Sequence, residues 1–230
     1  MVVGNGLIAS QFYDYKRNDS VVIFASGVSN SSNIAAEPFE RELQLLKSVY
    51  EKNSDKKLVY FSTSSISDRE SKNNKYVKHK LEMENWIKQS VTLFTIFRLT
   101  NPIGKNNNPN TVFNFFVNHI LSKTPFVVWQ NAFRNIMDID DMYRICHYIL
   151  NKDLFLNEVV VVANPKSYPV INIVHEIENY FETKGNFTLL DKGNDLHIDT
   201  APIAPIIEKL SIQFDKDYLQ KILNKYFPKQ

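Results

Sequence analysis

The chain has 230 residues, 43% of them hydrophobic, enough to bury a substantial core as one domain with a small appendage. Its 27 basic and 25 acidic residues leave a formal charge of +2, too weak a field to draw it onto nucleic acid or anionic lipid, so neither is expected as a partner. A single cysteine, Cys146, excludes an internal disulfide. No apolar run approaches the roughly 20 residues of a membrane helix, and Met1-Val2-Val3-Gly4 does not open a signal peptide. A cytoplasmic protein is the expectation.

In chain order, Met1-Val2-Val3 is a short apolar start. Gly4-Asn5-Gly6-Leu7-Ile8-Ala9, a Gly-x-Gly-x-x-Ala element, then opens an amphipathic stretch over Leu7 to Lys16. Glycines in such a turn let the backbone at Gly4, Gly6, Leu7 and Ile8 approach a pyrophosphate, although glycine turns before helices are common. Val21 to Phe24, Leu58 to Phe61, Val91 to Phe97 and Val159 to Val162 are β-branched and aromatic runs of strand length, largely apolar and therefore expected to be buried on both faces. Helical patterns lie between them, at about Ala36 to Asn53, Tyr76 to Gln89, Thr111 to Leu121, Asp141 to Asn151 and Tyr168 to Thr183. This alternation predicts a parallel α/β sheet with right-handed crossovers. Asp140 or Asp141 is expected to cap one helix, Pro169 to sit in the first turn of another, and Gly104 to Thr111 to form a polar loop.

Three places carry chemistry. Tyr76 and Lys80 stand four residues apart on one helix face. A phenol ionises near pH 10, and using it near neutrality asks for roughly three units of depression, about 4 kcal/mol, which a nearby ammonium can help to supply. Tyr148 with Lys152 and Tyr180 with Lys184 repeat the spacing, but only Tyr76 follows a strand ending in hydroxyls, Ser62-Thr63-Ser64-Ser65. Such residues also end strands and cap loops without further role. After the strand Val91 to Phe97, Asn101 offers amide donors, and Pro102-Ile103 a stiff apolar backbone that can lie against a flat ring. Arg134 is able to grip a phosphate with two hydrogen bonds. The five histidines show no metal-ligand spacing, and no metal is expected.

Taken in order, these elements resemble the extended branch of the short-chain dehydrogenase/reductase family, whose NAD-dependent epimerase/dehydratase-like members modify nucleotide-activated sugars. Phe24-Ala25-Ser26-Gly27-Val28 resembles the strand that walls the cofactor, Ser62 to Ile66 the catalytic Ser/Thr strand, and Tyr76 with Lys80 the Tyr-x-x-x-Lys pair. Arg98-x-x-Asn101-Pro102-x-Gly104 and Arg134 with Asp138 and Asp141 resemble two substrate-side signatures. The resemblance implies a reduced Rossmann-type, mostly parallel sheet with helices on both faces and a small C-terminal substrate lobe. It also implies a core over residues 1–165, with 105–135 on the substrate side, and the lobe over 166–230.

By the same likeness Thr63, Tyr76 and Lys80 are the catalytic set, with Lys80 also touching the cofactor's ribose. Gly4, Gly6, Leu7, Ile8, Ala25, Ser26, Gly27, Pro102 and Ile103 join Tyr76 and Lys80 around NAD or NADP. Asn101 and Arg134 hold the substrate's diphosphate, and a homodimer is expected by analogy. Two departures sharpen this. The family's further strands between the first helix and Val21 are missing, and with them the residue that chooses between NAD and NADP. Ser64 and Ser65, expected beside the substrate, stand where dehydratases carry two carboxylates, which disfavours dehydration. The expectation is a reductase of a nucleotide-linked keto-sugar, with a 4-epimerase close behind. A non-catalytic protein that binds the nucleotide or sugar nucleotide is the competing class.

Overall fold

The computed structural model describes residues 1–28, 35–68, 70–106 and 108–229. The strands in chain order are β1 (Val2–Val3), β2 (Val21–Phe24), β3 (Lys57–Thr63), β4 (Phe94–Leu99), β5 (Asn101–Ile103), β6 (Phe126–Trp129), β7 (Phe133–Asp138), β8 (Glu158–Val162), β9 (Ser167–Pro169) and β10 (Phe187–Leu190). The α-helices are α1 (Leu7–Gln11), α2 (Ala36–Glu51), α3 (Lys75–Ser90), α4 (Val112–Leu121), α5 (Ile139–Asn151), α6 (Val170–Phe181), α7 (Ala204–Lys209) and α8 (Tyr218–Tyr226). They form two units, one of Met1–Thr100 with Tyr143–Val162, the other of Asn101–Met142 with Ala163–Gln230. The second unit thus takes in residues 101–142 as well as the C-terminal tail.

The first unit is built on a five-stranded sheet in the order β1-β2-β3-β4-β8, parallel throughout. Every residue of β2 and β3 is buried, as the apolar runs Val21–Phe24 and Leu58–Phe61 require, and the polar ends of β3, Lys57, Ser62 and Thr63, are buried with them. Leu46 of α2 and Met83 and Ile87 of α3 pack on one face against Val22, Phe24, Leu58, Tyr60 and Ile96. On the other, Phe12 lies with its ring 5.1 Å from those of Phe61 and Tyr143. The strand order follows the chain without reversing, which leaves β1 at the edge of the sheet.

In the second unit β5, β7 and β9 form one small sheet, with β7 and β9 antiparallel, and β6 pairs with β10. Phe113 and Ile120 of α4, Ile173 and Ile177 of α6, and Leu219 and Ile222 of α8 share its core with Ile136.

Four elements differ locally from their expected form. The first helix stops at Gln11 instead of running to Lys16. Phe12, fully buried, takes φ −92° and ψ 25° to plug the sheet, and a 3-10 turn follows over Tyr13–Arg17. Val91 belongs to the end of α3, where its N–H reaches Ile87 O, so the strand begins only at Phe94. The α5 cap is Asp138, whose Oδ1 accepts the Asp140 N–H at 2.8 Å, a bond that neither Asp140 nor Asp141 can make to itself. Ser167–Pro169 is a strand, because Asn135 and Arg134 pair with Ser167 and Tyr168, and α6 starts only at Val170. The polar loop stands as expected, its turns closed by the side chains of Asn106, Asn108 and Asn114, while Asn107 lies outside the described residues.

Candidate active site

β1 delivers the chain into a turn at Gly4 with φ +119°, a conformation that L side chains rarely adopt. A Cβ there would stand 2.4 Å from the carbonyl oxygen of Ala25, so glycine is what lets this turn lie against Ala25-Ser26, just past the end of β2. At Gly6 a Cβ would meet nothing within 4 Å, so its outer side is open ground. Leu7 and Ile8 follow in the first turn of α1. With five residues, α1 carries only a small part of the end charge of a long helix.

Past Ala25-Ser26 the chain crosses over Lys80. A Cβ on Gly27 would come 2.7 Å from Lys80 Nζ and 3.0 Å from Glu42 Oε1. The next strand, β3, ends at Thr63, whose Oγ1 accepts the N–H of Ser65 at 3.2 Å and caps a 3-10 turn over Ser64–Ser67. The ordinary capping role of such a residue is therefore filled. It uses a lone pair of the hydroxyl and leaves the O–H as a donor. Ser64 and Ser65 are half-buried on this turn, and α3 packs against it.

α3 begins at Lys75 because the Asn74 side chain accepts the N–H of Tyr76 at 2.8 Å. Tyr76 is thereby fixed in the first turn, half-buried. Lys80 follows one turn later, almost fully buried, with Nζ 5.8 Å from the centre of the Tyr76 ring. The two side chains face one another, as the four-residue spacing predicts. Gly4, Ala25, Gly27, Lys80 and Tyr76 thus form a continuous run of neighbours.

One residue of this site escapes the sequence reading. Glu42 of α2 is wholly buried: Oε1 accepts from Lys80 Nζ at 2.8 Å and from the Tyr60 hydroxyl at 2.7 Å, while Oε2 accepts from the Val28 N–H at 2.7 Å and lies 3.1 Å from His79 Nε2. Burial pushes the carboxyl up, but the Lys80 charge and the hydrogen bonds from His79, Lys80 and Val28 outweigh it and bring its pKa down to about 2. Burial, followed by the neighbouring Glu42 charge, pushes the Tyr60 phenol far above its ordinary range. Lys80 also donates to Tyr60 Oη at 3.0 Å and Phe61 O at 3.4 Å. Its ammonium, expected to touch a ribose and to tune Tyr76, thus has all three hydrogens engaged by protein acceptors.

The remaining expected residues belong to the second unit. Asn101 donates one amide hydrogen to Asn135 O at 2.8 Å, from a strand paired with β7. Pro102 is half-buried, and the Ile103 side chain sits in that unit's core, which leaves its main chain as the part able to meet a ligand. Arg134, half-buried on β7, donates from Nη1 to Phe133 O at 2.8 Å. Asp138 holds Lys225 and Tyr226 of α8, and Asp141 accepts from Tyr218. Among the described residues no three of His, Cys, Asp and Glu are grouped to hold a metal ion, and no helix is long and apolar enough to cross a membrane.

Comparison with solved structures returns the same architecture. UDP-glucuronic acid 4-epimerase from Bacillus cereus, solved with UDP-glucuronic acid and NAD, superposes with a TM-score of 0.72 at 16% identity over 96% of this chain and 77% of its own. UDP-N-acetylglucosamine 4-epimerase from Methanobrevibacter ruminantium M1 gives 0.67 at 18% identity over 90% and 75%. RMD from Pseudomonas aeruginosa, solved with NADPH, gives 0.68 at 13% over 90% and 80%. At these identities the likeness is one of fold. No curated protein matches the sequence. The family model described as NAD dependent epimerase/dehydratase family matches residues 9–163, about two thirds of the chain, beginning just past the glycine turn. By that match the chain belongs to the NAD-dependent epimerase/dehydratase family.

Proposed function

We propose that the chain is an NAD(P)-dependent reductase of a nucleotide-linked keto-sugar, with Tyr76 as proton donor and Thr63 and Lys80 as its partners. The observation that carries this reading is the stack of Gly27 over Lys80 and Lys80 against Tyr76, beside the open turn at Gly6. The nicotinamide half of the cofactor fits the residues present: open ground at Gly6 with the main chain of Leu7 and Ile8, then a wall at Ala25-Ser26-Gly27 with no side chain larger than serine. The adenosine half has no such match. A doubly wound sheet holds a dinucleotide where its strand order reverses, and this order never does.

When bound, a nicotinamide supplies the hydride. Tyr76 Oη gives its proton to the carbonyl oxygen as charge develops there, and the Thr63 hydroxyl donates to the same oxygen, so that the ketone leaves as an alcohol. Ser64 and Ser65 flank the sugar on the turn after Thr63. In the second unit, Arg134 and Asn101 carry donors of the kind a diphosphate accepts.

A 4-epimerase is the second reading, favoured by the likeness to two UDP-sugar 4-epimerases. An epimerase must retain its cofactor while the hydride leaves and returns, which asks for a firm hold on both halves. With β1 at the sheet's edge, a cofactor exchanged at every turnover is the better match. Fluorescence titration with NADH and NADPH, followed by turnover of a nucleotide-linked 4-keto-sugar, tests the proposal. Saturable binding is expected, with turnover lost at least about 100-fold in Tyr76→Phe and binding kept. Folded protein that saturates with neither cofactor would sink it in favour of a non-catalytic binding protein.

A further inference from the structure

The Lys80 ammonium has three hydrogens and three acceptors around it: Glu42 Oε1, Tyr60 Oη and Phe61 O. Both partners of the ion pair are buried, Lys80 at 2% exposure and Glu42 at 0%. Their opposite charges are therefore little screened by water and sum to zero within one small enclosure. The carboxylate that achieves this comes from α2, a helix that carries none of the other residues assigned to the site. Its four contacts, to Val28, Tyr60, His79 and Lys80, define its position completely.

We propose that Glu42 is a positioning residue of the redox site, fixing the Lys80 ammonium beneath Gly27 and cancelling its charge there. The inference rests on the reading of Tyr76 and Lys80 as the redox pair and changes the part Lys80 plays in it. From Tyr76 the lysine is one half of an ion pair, a fixed donor in the floor of the site rather than a source of net positive charge. Among the described residues, the charged and titratable groups placed around this pair are Tyr60 from β3 and Tyr76, His79 and Glu84 from α3. Glu84 has its own counter-charge in Arg98. Exchanging Glu42 for glutamine thus alters one charge in the cluster and retains a side chain of the same size.

The test is an alkaline absorbance titration of the ligand-free protein, with the Tyr76 contribution read as the difference from Tyr76→Phe. In Glu42→Gln the carboxylate's negative charge is gone, so the Tyr76 half-point does not rise: it falls if the ammonium stays charged and holds its place if burial strips its proton. In the double variant Glu42→Gln with Lys80→Met both charges leave together, and the half-point stays where it is in the unsubstituted chain. A half-point that rises by about one unit in either variant overturns the proposal. Should Glu42→Gln alone fail to fold, the double variant, which leaves no buried charge unpaired, decides by itself. Neither cofactor nor turnover enters this readout. The charge-cancelling role can therefore fail while NADH still binds, and NADH binding can fail while the titration behaves as expected.

Discussion

Arg98 of β4 grips Glu84 of α3 through two parallel hydrogen bonds, Nε to Oε1 at 2.8 Å and Nη2 to Oε2 at 2.7 Å. Ser62 of β3 adds a third from its hydroxyl at 2.6 Å. The helix that carries Tyr76 and Lys80 is thereby tied to two strands through one wholly buried carboxylate. Removing that carboxylate leaves the partly buried guanidinium without its main partner, and Glu84→Ala is expected to cost about 3–5 kcal/mol in urea unfolding. Replacing both partners, Glu84→Leu with Arg98→Met, should recover most of the loss. A single variant within about 1 kcal/mol of the parent would show that the fork does not hold the helix.

The depressed pKa of Glu42 makes stability depend on pH in one direction. The carboxyl ionises at about 2 in the folded chain against 4.5 for an ordinary glutamate, so the unfolded state binds the proton more readily. Its contribution is therefore complete above pH 4.5 and is lost as the pH falls toward 2, a difference on the order of 3 kcal/mol. Other carboxylates titrate in the same window, so the measurement is the difference between the parent and Glu42→Gln. The difference in unfolding free energy should narrow steadily on acidification. A constant difference would mean that the Lys80 pairing adds nothing to stability.

In the second unit, the Tyr218 hydroxyl accepts the N–H of Asp138 at 2.9 Å and donates to Asp141 Oδ2 at 2.9 Å. Burial, then the nearby Asp141 charge, pushes the Tyr218 phenol far up, so it remains a neutral donor across the working pH range. Tyr218→Phe removes the acceptor of a buried backbone donor at the start of α5 and is expected to cost about 1–3 kcal/mol. Hydrogen exchange supplies a local reading: the Asp138 amide should lose protection well beyond the average for the chain. Unchanged protection there would place its hydrogen bond elsewhere.

Much of the site is legible in the sequence because its signals are local. Val21–Phe24 reads as a strand because neither of its faces needs polar side chains, and the Tyr76–Lys80 spacing survives as a contact because it depends only on helical pitch. Glu42 is different. Between Arg41 and Leu43 on a largely polar helix, a glutamate reads as solvated. It does stand three residues after Phe39 and four before the wholly buried Leu46, on the stripe that faces the sheet, and a carboxylate there demands a partner. The sequence cannot name that partner, because Val28, Tyr60, His79 and Lys80 converge on it only through the crossovers of the parallel sheet. The end of the first helix at Gln11 is hidden for the same reason, since it follows from where Phe12 finds its pocket between Phe61 and Tyr143. Likewise, residues 101–142 pack with the tail through long-range contacts that no local pattern announces.

The two glycines of the first turn should separate folding from binding. At Gly4, alanine meets both a left-handed φ of +119° and a Cβ 2.4 Å from the Ala25 carbonyl, so Gly4→Ala is expected to destabilise the first unit by about 2 kcal/mol or more. At Gly6 the backbone has φ −79° and ψ −173°, which alanine adopts without strain, and its Cβ would point into open space. Gly6→Ala should therefore unfold within about 0.5 kcal/mol of the parent. If the pyrophosphate of a dinucleotide lies against that backbone, the added methyl group fills ground the ligand needs, and NADH affinity should fall at least about tenfold, roughly 1.4 kcal/mol. Unfolding curves and NADH titrations on the same two samples read both effects. A Gly6→Ala protein that binds NADH as tightly as the parent would move the cofactor away from this turn, and with it the assignment of Gly4, Gly6, Leu7 and Ile8.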